Sequence, residues 1–287
     1  MSIYFLLLVF VFGAAIGSFL NCMAWRIYHG QGLWGRSQCP SCNKMIAWFD
    51  NVPLFSWLRL RGKCRHCQAA IPSHYFWAEL AVACLFLFSF LFRLDFAPEH
   101  FVLMIGLGPI DWHLILSILR DWTLISFLFI IFLMDLKWFV VADVVSLGGA
   151  GAVFVLNLLL GVPWPTLVLG ALAGAGFFLL FHVLSEGAWM GSGDILIGLL
   201  MGVALGWPGI VVALFMGVII AALWGIGLVL AGKKKFQWQR LWQKGEPTDN
   251  EIKESALPFG PFLTVGTLLA FYYGSAVLVW YLSFLTF

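Results

Sequence analysis

Residues 190–198 read Met-Gly-Ser-Gly-Asp-Ile-Leu-Ile-Gly and place Asp194 beside two glycines at the start of a long apolar run. A carboxylate at membrane depth costs roughly 2.5–3.5 kcal/mol on insertion scales, so it usually has a functional reason to be there. A second carboxylate, Asp135, lies inside another apolar run. The sequence therefore predicts a fold of membrane-spanning helices with two acids that work as a pair.

The composition sets the environment of the chain. It is 62% hydrophobic and 10% charged, whereas a soluble domain is roughly 25% charged. Several apolar runs reach the ~20 residues that span a bilayer, and they do not alternate with polar residues as the strands of a lipid-embedded barrel would. We predict an all-α polytopic membrane protein in the lipid bilayer. The net charge of +2 is too small to indicate a nucleic-acid partner.

The hydropathy pattern predicts about eight transmembrane helices. The ambiguous stretch 94–120 contains several acids and histidines, so we interpret it as an external loop. If it crossed the bilayer, every later loop would change sides. The basic loop 233–256 would then lie outside the cell, although its positive charge favours the cytoplasm. The predicted spans are about 1–25, 76–93, 122–141, 144–161, 165–185, 192–207, 208–232 and 257–285.

The distribution of Lys and Arg predicts the orientation. Residues 26–75 carry seven of them and residues 233–256 carry six, which together make 13 of the 16 in the chain. The positive-inside rule places both loops in the cytoplasm. No Lys or Arg precedes the first run, so we expect it to be a retained span and not a cleaved signal peptide.

Four of the six cysteines form two C-x-x-C pairs in the first basic loop, namely Cys39 with Cys42 and Cys64 with Cys67. Two such knuckles can hold Zn²⁺ tetrahedrally through four thiolates. Disulfides are less favoured in a reducing cytoplasm, and a redox C-x-x-C would need only one pair. We expect a structural zinc site, since four cysteine ligands leave no open position to activate water.

These features divide the chain into three parts. Residues 1–25 are the first transmembrane helix, and residues 26–75 are a small zinc-binding cytoplasmic subdomain. Residues 76–287 are a transmembrane core with the external loop 94–120 and the cytoplasmic loop 233–256.

The two acids differ in their surroundings. Asp194 follows Ser192, a plausible N-cap, and a purely structural interpretation makes Asp194 a capping acid near a helix N-terminus. For Asp135 the structural alternative is an ion pair with Lys137, but side chains two residues apart do not face each other on a helix. The topology places both acids within roughly the cytoplasmic third of the bilayer, which favours a shared function.

Two carboxylates that share one proton can catalyse peptide hydrolysis, one as general base toward water and the other as proton donor to the carbonyl oxygen. We expect Asp194 to be ionised more often and Asp135 to be protonated more often. Gly191 and Gly193 would let a substrate backbone approach closely. Asp143 lies eight residues after Asp135, near the interface, and is a candidate for support.

Eight short motifs in order make the chain resemble the bacterial type IV prepilin peptidases, membrane aspartyl proteases of the GxGD class. The matching stretches are Gly17-Ser18-Phe19-Leu20-Asn21, Cys39-Pro40-x-Cys42, Asp50-Asn51-Val52-Pro53-Leu54 with Ser56-Trp57, Arg61-Gly62-Lys63-Cys64-x-x-Cys67, Tyr75 with Glu79, Asp135, Gly191-Ser192-Gly193-Asp194, and Pro258-Phe259-Gly260-Pro261.

The resemblance implies that Asp135 and Asp194 are catalytic. It implies cleavage after a glycine, at the cytoplasmic face of a bacterial inner membrane, in a type IV prepilin or pseudopilin with a basic leader. It also implies N-methylation of the new N-terminus from S-adenosylmethionine. Glu79 is a possible substrate or methyl-donor site.

Two other classes of function remain open from the residues. A transporter could use the acids as a proton or cation relay, although such acids are expected near the midplane and not near one face. A zinc-knuckle assembly factor without chemistry would tolerate Asn at positions 135 and 194.

Overall fold

The computed structural model describes residues 3–32, 35–95, 111–187, 190–230 and 258–285. Within these ranges the chain is mainly helical and has two isolated β-bridges but no strand, which confirms the all-α prediction. The helices are α1 (Ile3–Tyr28), α2 (Phe55–Arg59), α3 (His74–Asp95), α4 (Trp112–Trp138), α5 (Asp143–Leu159), α6 (Trp164–Leu184), α7 (Ser192–Leu230) and α8 (Gly260–Leu285).

Six of these helices are long and apolar enough to cross a bilayer, namely α1, α3, α4, α6, α7 and α8. Helix α5 is apolar but shorter, with 17 residues. The 39-residue helix α7 is broken at Gly206 (φ 63, ψ −177) and Trp207, whose backbone angles are not helical. Glycine adopts a positive φ without steric cost, and Pro208 follows, which cannot continue the hydrogen-bond ladder.

The chain reverses direction at this break. Gly174 of α6 lies against both Gly198 and Ile210, which would be about 18 Å apart along one straight helix. Both can contact the same glycine only if the chain folds back between them. We call residues 192–205 the first arm of α7 and residues 208–230 the second arm. Counting the arms separately gives eight membrane helices in the described ranges, in agreement with the predicted number.

The chain consists of two compact units. The described residues of the first are 3–32, 35–95 and 111–130, and those of the second are 131–187, 190–230 and 258–285. Helix α4 therefore gives its first 19 residues to one unit and its last eight to the other. In the first unit, α1 packs on α3 so closely that a Cβ added at Gly13 would lie 2.8 Å from the Cα of Ala83.

The second unit is held together by glycine contacts between backbones. Gly198 and Gly202 of the first arm lie against Gly174 and Gly170 of α6, and a Cβ added at Gly198 would be 2.5 Å from the Gly174 carbonyl oxygen. Small residues at these crossings let helices approach closely where lipid provides no hydrophobic driving force. This packing fixes the position of the first arm, which begins with the Gly-Ser-Gly-Asp stretch.

Helix α4 begins earlier than the predicted span at 122, because residues 112–121 are helical and continuous with it. Asp111 caps its start by accepting a hydrogen bond from the Leu114 N–H at 3.1 Å. Asp121 is fully buried, yet Arg93 and Arg120 bind its carboxylate at 2.7 and 2.9 Å. Asp111 and His113 interrupted the hydropathy pattern, which is why sequence alone placed the start of the helix too late. The remainder of the loop, 96–110, and the loop 233–256 lie outside the described residues.

Candidate active site and tetracysteine cluster

Asp194 occupies the first turn of α7. The helix begins at Ser192, so Gly191 and not Ser192 takes the N-cap position. The Gly191 N–H donates to Asp194 Oδ2 at 3.2 Å, and the Asp194 N–H donates to the Gly191 carbonyl at 3.2 Å. The bond from the Gly191 N–H to the Asp194 side chain is one half of a capping box, in which an acid three residues into the helix binds the N-cap N–H; the other half is absent because glycine has no side chain. Asp194 is therefore a capping acid whose side chain is half-buried.

Asp135 lies three residues before the end of α4 and is 8% exposed. Its Oδ2 accepts a hydrogen bond from the Gly260 N–H at 2.7 Å. Gly260 is the first residue of α8, so this N–H is one of the donors that a helix N-terminus leaves unsatisfied. A Cβ at Gly260 would lie 2.6 Å from that same oxygen. Only glycine allows the helix end to approach the carboxylate this closely.

The two acids belong to the same unit and interact. Asp194 is close enough to Asp135 for its charge to bear on the Asp135 carboxyl group, although burial and the Gly260 hydrogen bond have larger effects there. Each acid is held through its Oδ2 by a backbone N–H at the N-terminus of a helix, α7 for Asp194 and α8 for Asp135. Helix N-termini favour negative charge. The arrangement leaves the Oδ1 atom of each acid without a hydrogen bond to any residue in the described ranges.

The two glycines of the stretch have different surroundings. A Cβ at Gly193 would lie 2.8 Å from the Cβ of Val141, so Gly193 is needed for close packing inside the protein. Gly191 is exposed, and the nearest heavy atoms to an added Cβ are 3.9 Å away. Open space for a substrate backbone therefore exists at Gly191 and not at Gly193.

Other residues near the pair take less direct positions. Asp143 is exposed in the first turn of α5. The Lys137 ammonium is buried and lies 5.2 Å from the centre of the Trp138 ring. The His182 Nδ1 donates to the Met190 carbonyl at 2.8 Å, which fixes the chain just before Gly191. Sequence reasoning missed His182, because a single histidine at a helix end carries no motif.

The four cysteines of the two knuckles come together. Their sulfurs all lie within 4.8 Å of one another, and Cys39 Sγ is 3.8 Å from Cys67 Sγ. Four thiolates at about 2.3 Å from a tetrahedral zinc would be about 3.8 Å apart. The cluster can therefore bind a metal ion, and its donor set fits zinc.

The two knuckles repeat the same local structure. The Cys39 N–H donates to the Lys44 carbonyl, and the Cys64 N–H donates to the Ala69 carbonyl, at 3.0 and 2.8 Å. Each turn has one residue with positive φ, Asn43 in the first knuckle and Gln68 in the second. The equivalent bridges are Gln38 with Met45 and Lys63 with Ala70. Two copies of one turn thus present two thiols each toward a common point.

Asp50 links the short 3-10 turn Trp48–Asp50 to the second knuckle. Arg65 binds its carboxylate with two hydrogen bonds of 2.6 Å, and Arg59 adds a third at 2.9 Å. The hydrogen bonds and positive charge of Arg65, followed by the charge of Arg59, hold the pKa of Asp50 below its usual range. The only acid of this loop is thus neutralised by two arginines.

The segment between α1 and α3 that carries the four cysteines is here called the cysteine loop. Glu79 of α3 connects this loop to α1 and α3. Its Oε2 accepts the Leu54 N–H at 2.7 Å, and it also binds the Ser18 side chain of α1. Leu54 has φ 61 and ψ −52, and the Phe55 N–H donates to the Pro53 carbonyl at 2.6 Å. This is a γ-turn, a strained conformation that persists only when its surroundings hold it. Glu79 supplies part of that constraint.

Comparison with known proteins gives two family matches. Residues 11–92 match the bacterial peptidase A24 N-terminal domain, and residues 122–226 match the type IV leader peptidase family.

Curated relatives match nearly the whole chain. A prepilin leader peptidase/N-methyltransferase of Aeromonas salmonicida is 30% identical over 307 residues, covering 96% of this chain and 93% of the relative. The proteins of that name from Bacillus subtilis (strain 168) and Legionella pneumophila are 29% and 28% identical, covering 96% and 87% of this chain and 97% and 76% of the relatives. No solved structure matches significantly. From its helices, its motifs and these matches, the chain belongs to the type IV leader peptidase family.

Proposed function

We propose that this protein is a membrane aspartyl peptidase that removes the leader from type IV prepilins or pseudopilins, with Asp135 and Asp194 as the catalytic pair. The proposal rests on one observation above the others. Two carboxylates from distant parts of the chain lie within one unit, and each is fixed by a backbone N–H at a helix N-terminus. The names of the relatives supply the substrate class. None of the relatives named above supports the transporter alternative.

The chemistry follows from how the two acids are held. One carboxylate, ionised, takes a proton from a water molecule, whose oxygen attacks the carbonyl carbon of the scissile peptide. The other acid, protonated, donates its proton to the carbonyl oxygen. The tetrahedral intermediate then collapses, the C–N bond breaks, and a proton passes to the leaving nitrogen. The backbone N–H groups hold both Oδ2 atoms, so the Oδ1 atoms are left to face water and substrate.

The depth of the two acids supports cleavage close to one membrane face. Asp135 is three residues from the end of α4 and Asp194 is the third residue of α7, so each is about 5 Å or less from a helix end. By the positive-inside rule, the basic loops favour the cytoplasmic side for that face. We propose that a substrate with a basic leader meets the pair there and is cut after a glycine. Gly191 would accommodate its backbone, and Asp143 would provide electrostatic support.

The cysteine loop would have a structural role with bound zinc. Residues Cys39, Cys42, Cys64 and Cys67 would hold the ion, which stabilises the fold of the loop when bound. We propose that Glu79 is a positioning residue for the same loop, because its buried carboxylate already binds Leu54 and Ser18. It would therefore serve a substrate or methyl-donor site by holding the loop and not by direct contact.

N-methylation of the new N-terminus is the second proposed activity, taken from the names of the relatives. S-adenosylmethionine would supply the methyl group. We assign no contact to this donor, since Glu79, the residue expected there, is engaged elsewhere.

The decisive experiment is reconstitution of the full chain in liposomes with a prepilin, followed by mass spectrometry of the product. We expect loss of a leader ending in glycine, and addition of one methyl group when S-adenosylmethionine is present. Asp135→Asn and Asp194→Asn should each abolish cleavage while the protein keeps its metal. Asp143→Asn should retain substantial cleavage.

Cleavage by either Asn variant at parental rate would refute the assignment of the pair. Cysteine variants test the loop separately: Cys39→Ser and Cys67→Ser should each lower the zinc content of the purified protein. An unchanged zinc content would contradict the proposed ligand set.

A further inference from the structure

Four large apolar side chains of the cysteine loop form an exposed patch. Trp48, Phe49, Phe55 and Leu58, here called the aromatic patch, are 77%, 39%, 58% and 57% exposed. The Trp48 and Phe49 rings are 5.7 Å apart. The Arg59 guanidinium lies 5.7 Å from the centre of the Phe49 ring and 6.0 Å from that of Phe55, which joins the two ends of the patch. Clustered exposed apolar groups of this size mark a surface that contacts something other than water.

The patch is edged by positive charge. Arg59 and Arg65 bind Asp50, yet their side chains remain 40% and 44% exposed. Arg65 also stacks over Phe49 at 5.2 Å. Two arginines against one acid leave a net positive charge beside the aromatic rings. Apolar side chains next to Arg are typical of segments that lie at a membrane surface.

The position of the patch along the membrane helices is set by the Glu79 contacts. Leu54, which directly precedes Phe55, is bound at Glu79, five residues into α3, or about 7–8 Å from its start. Glu79 also binds Ser18, ten residues or about 15 Å before the end of α1. The backbone at Leu54 therefore lies level with residues inside α1 and α3, and not beyond the ends of these two helices. Phe55 and Leu58 leave that point on the short helix α2.

We propose that the aromatic patch is an interfacial membrane anchor. Its apolar side chains enter the boundary between lipid headgroups and acyl chains, continuous with the lipid-facing surface of α1 and α3. The guanidinium groups of Arg59 and Arg65 face lipid phosphates and favour anionic lipids. The anchor would hold the cysteine loop flat against the membrane surface. This proposal does not depend on the peptidase activity.

The apolar helix of a protein substrate is the competing occupant of such a surface. The depth of Leu54 favours lipid, because a patch at that level meets acyl chains whether or not a substrate is bound. The positive edge also matches an anionic lipid surface better than it matches a substrate with a basic leader, whose charge it would repel.

The test is site-specific photocrosslinking of the full chain in liposomes. The photoreactive residue p-benzoylphenylalanine replaces Phe55 or Leu58, and replaces Gln31 as the control. Gln31 is exposed and lies three residues beyond the end of α1. The liposomes contain phosphatidylcholine with a minority of phosphatidylglycerol, and each sample is irradiated with and without a prepilin. The readout is the mass of the adduct, so it requires no turnover and is unaffected if the peptidase assignment fails.

We expect phospholipid adducts at positions 55 and 58 in both samples and none at position 31. The phosphatidylglycerol share of the adducts should exceed its share of the membrane, and Arg59→Gln should bring it back toward the bulk value. Adducts with the prepilin in place of lipid would overturn the proposal in favour of a substrate surface. Equal lipid adducts at all three positions, or none at 55 and 58, would also overturn it. Because positions 55 and 58 are tested separately, the conclusion does not depend on a single substitution that could disturb folding.

Discussion

Gly260→Ala is the sharpest test of how Asp135 is held. The added Cβ would lie 2.6 Å from Asp135 Oδ2 and 3.2 Å from its Cβ and Cγ. Ordinary contact begins at 3.4 Å, so the carboxylate or the start of α8 must move by at least 0.8 Å. Either movement breaks the 2.7 Å hydrogen bond from the Gly260 N–H.

The expected loss follows from this displacement. A misplacement of about 1 Å in a catalytic group can reduce the rate about 100-fold. A buried acceptor that loses its donor also costs about 1–3 kcal/mol. We therefore expect kcat/KM for leader removal to fall by about 100-fold, mainly in kcat, since the substrate makes no contact that this change removes.

The assay is steady-state cleavage of a purified prepilin in liposomes, followed by mass spectrometry. Gly176→Ala on α6 is the matched control, because no heavy atom lies within 4 Å of its added Cβ. Both variants should show the parental zinc content and thermal unfolding within a few degrees, which separates a site effect from misfolding. A folded Gly260→Ala variant with kcat/KM within about threefold of the parent would refute the reasoning that position 260 fixes Asp135.

Three further predictions test other contacts. Gly193→Ala should reduce leader removal more strongly than Gly191→Ala, because its Cβ would meet Val141 at 2.8 Å whereas Gly191 faces open space; equal kcat/KM values would contradict this. Gly202→Ala should lower thermal stability far more than Gly176→Ala, because the α6 backbone already occupies the space that a Cβ at position 202 would need. Equal melting temperatures of the two variants in one detergent would argue against the close packing of α6 on the first arm of α7. Asp50→Asn should lower thermal stability at pH 7, and the difference from the parent should persist down to about pH 4 and shrink below it. The sign follows because the folded pKa lies below the ordinary 3.8, so the stabilisation is present above that value and lost as the pH falls through the folded pKa; a difference that vanished already at pH 6 would rule out this ion pair as its source.

The features that sequence predicted best are those fixed by a strong local pattern. Long apolar runs gave the number of membrane helices, because few alternatives satisfy the backbone in lipid. The spacing of two C-x-x-C pairs predicted one four-sulfur cluster, and the structure brings those sulfurs within 4.8 Å. The expectation that Asp135 and Asp194 lie at similar depth needed only topology and the helix rise, and it stays a prediction.

The features that sequence could not provide depend on contacts between distant residues. Nothing local marks Gly260 as the donor to Asp135, 125 residues away. The strained turn at Leu54 could not be predicted locally either, because it depends on a hydrogen bond to Glu79, 25 residues further along the chain. The start of α4 was misplaced because Asp111 and His113 look like interruptions of the apolar run until the helix is seen to begin there.

The early reversal at Gly206 has a consequence for the lipid around the site. The first arm has only 14 helical residues before the break, or about 21 Å, whereas the hydrocarbon core is about 30 Å thick. Helix α5, with 17 residues, is also short at about 25 Å. Such hydrophobic mismatch is relieved by thinning of the adjacent bilayer or by recession of a helix end below the headgroups. In both cases the distance that water must travel to reach Asp194 becomes shorter, which would supply water to the proposed catalytic carboxylate although it begins a membrane helix.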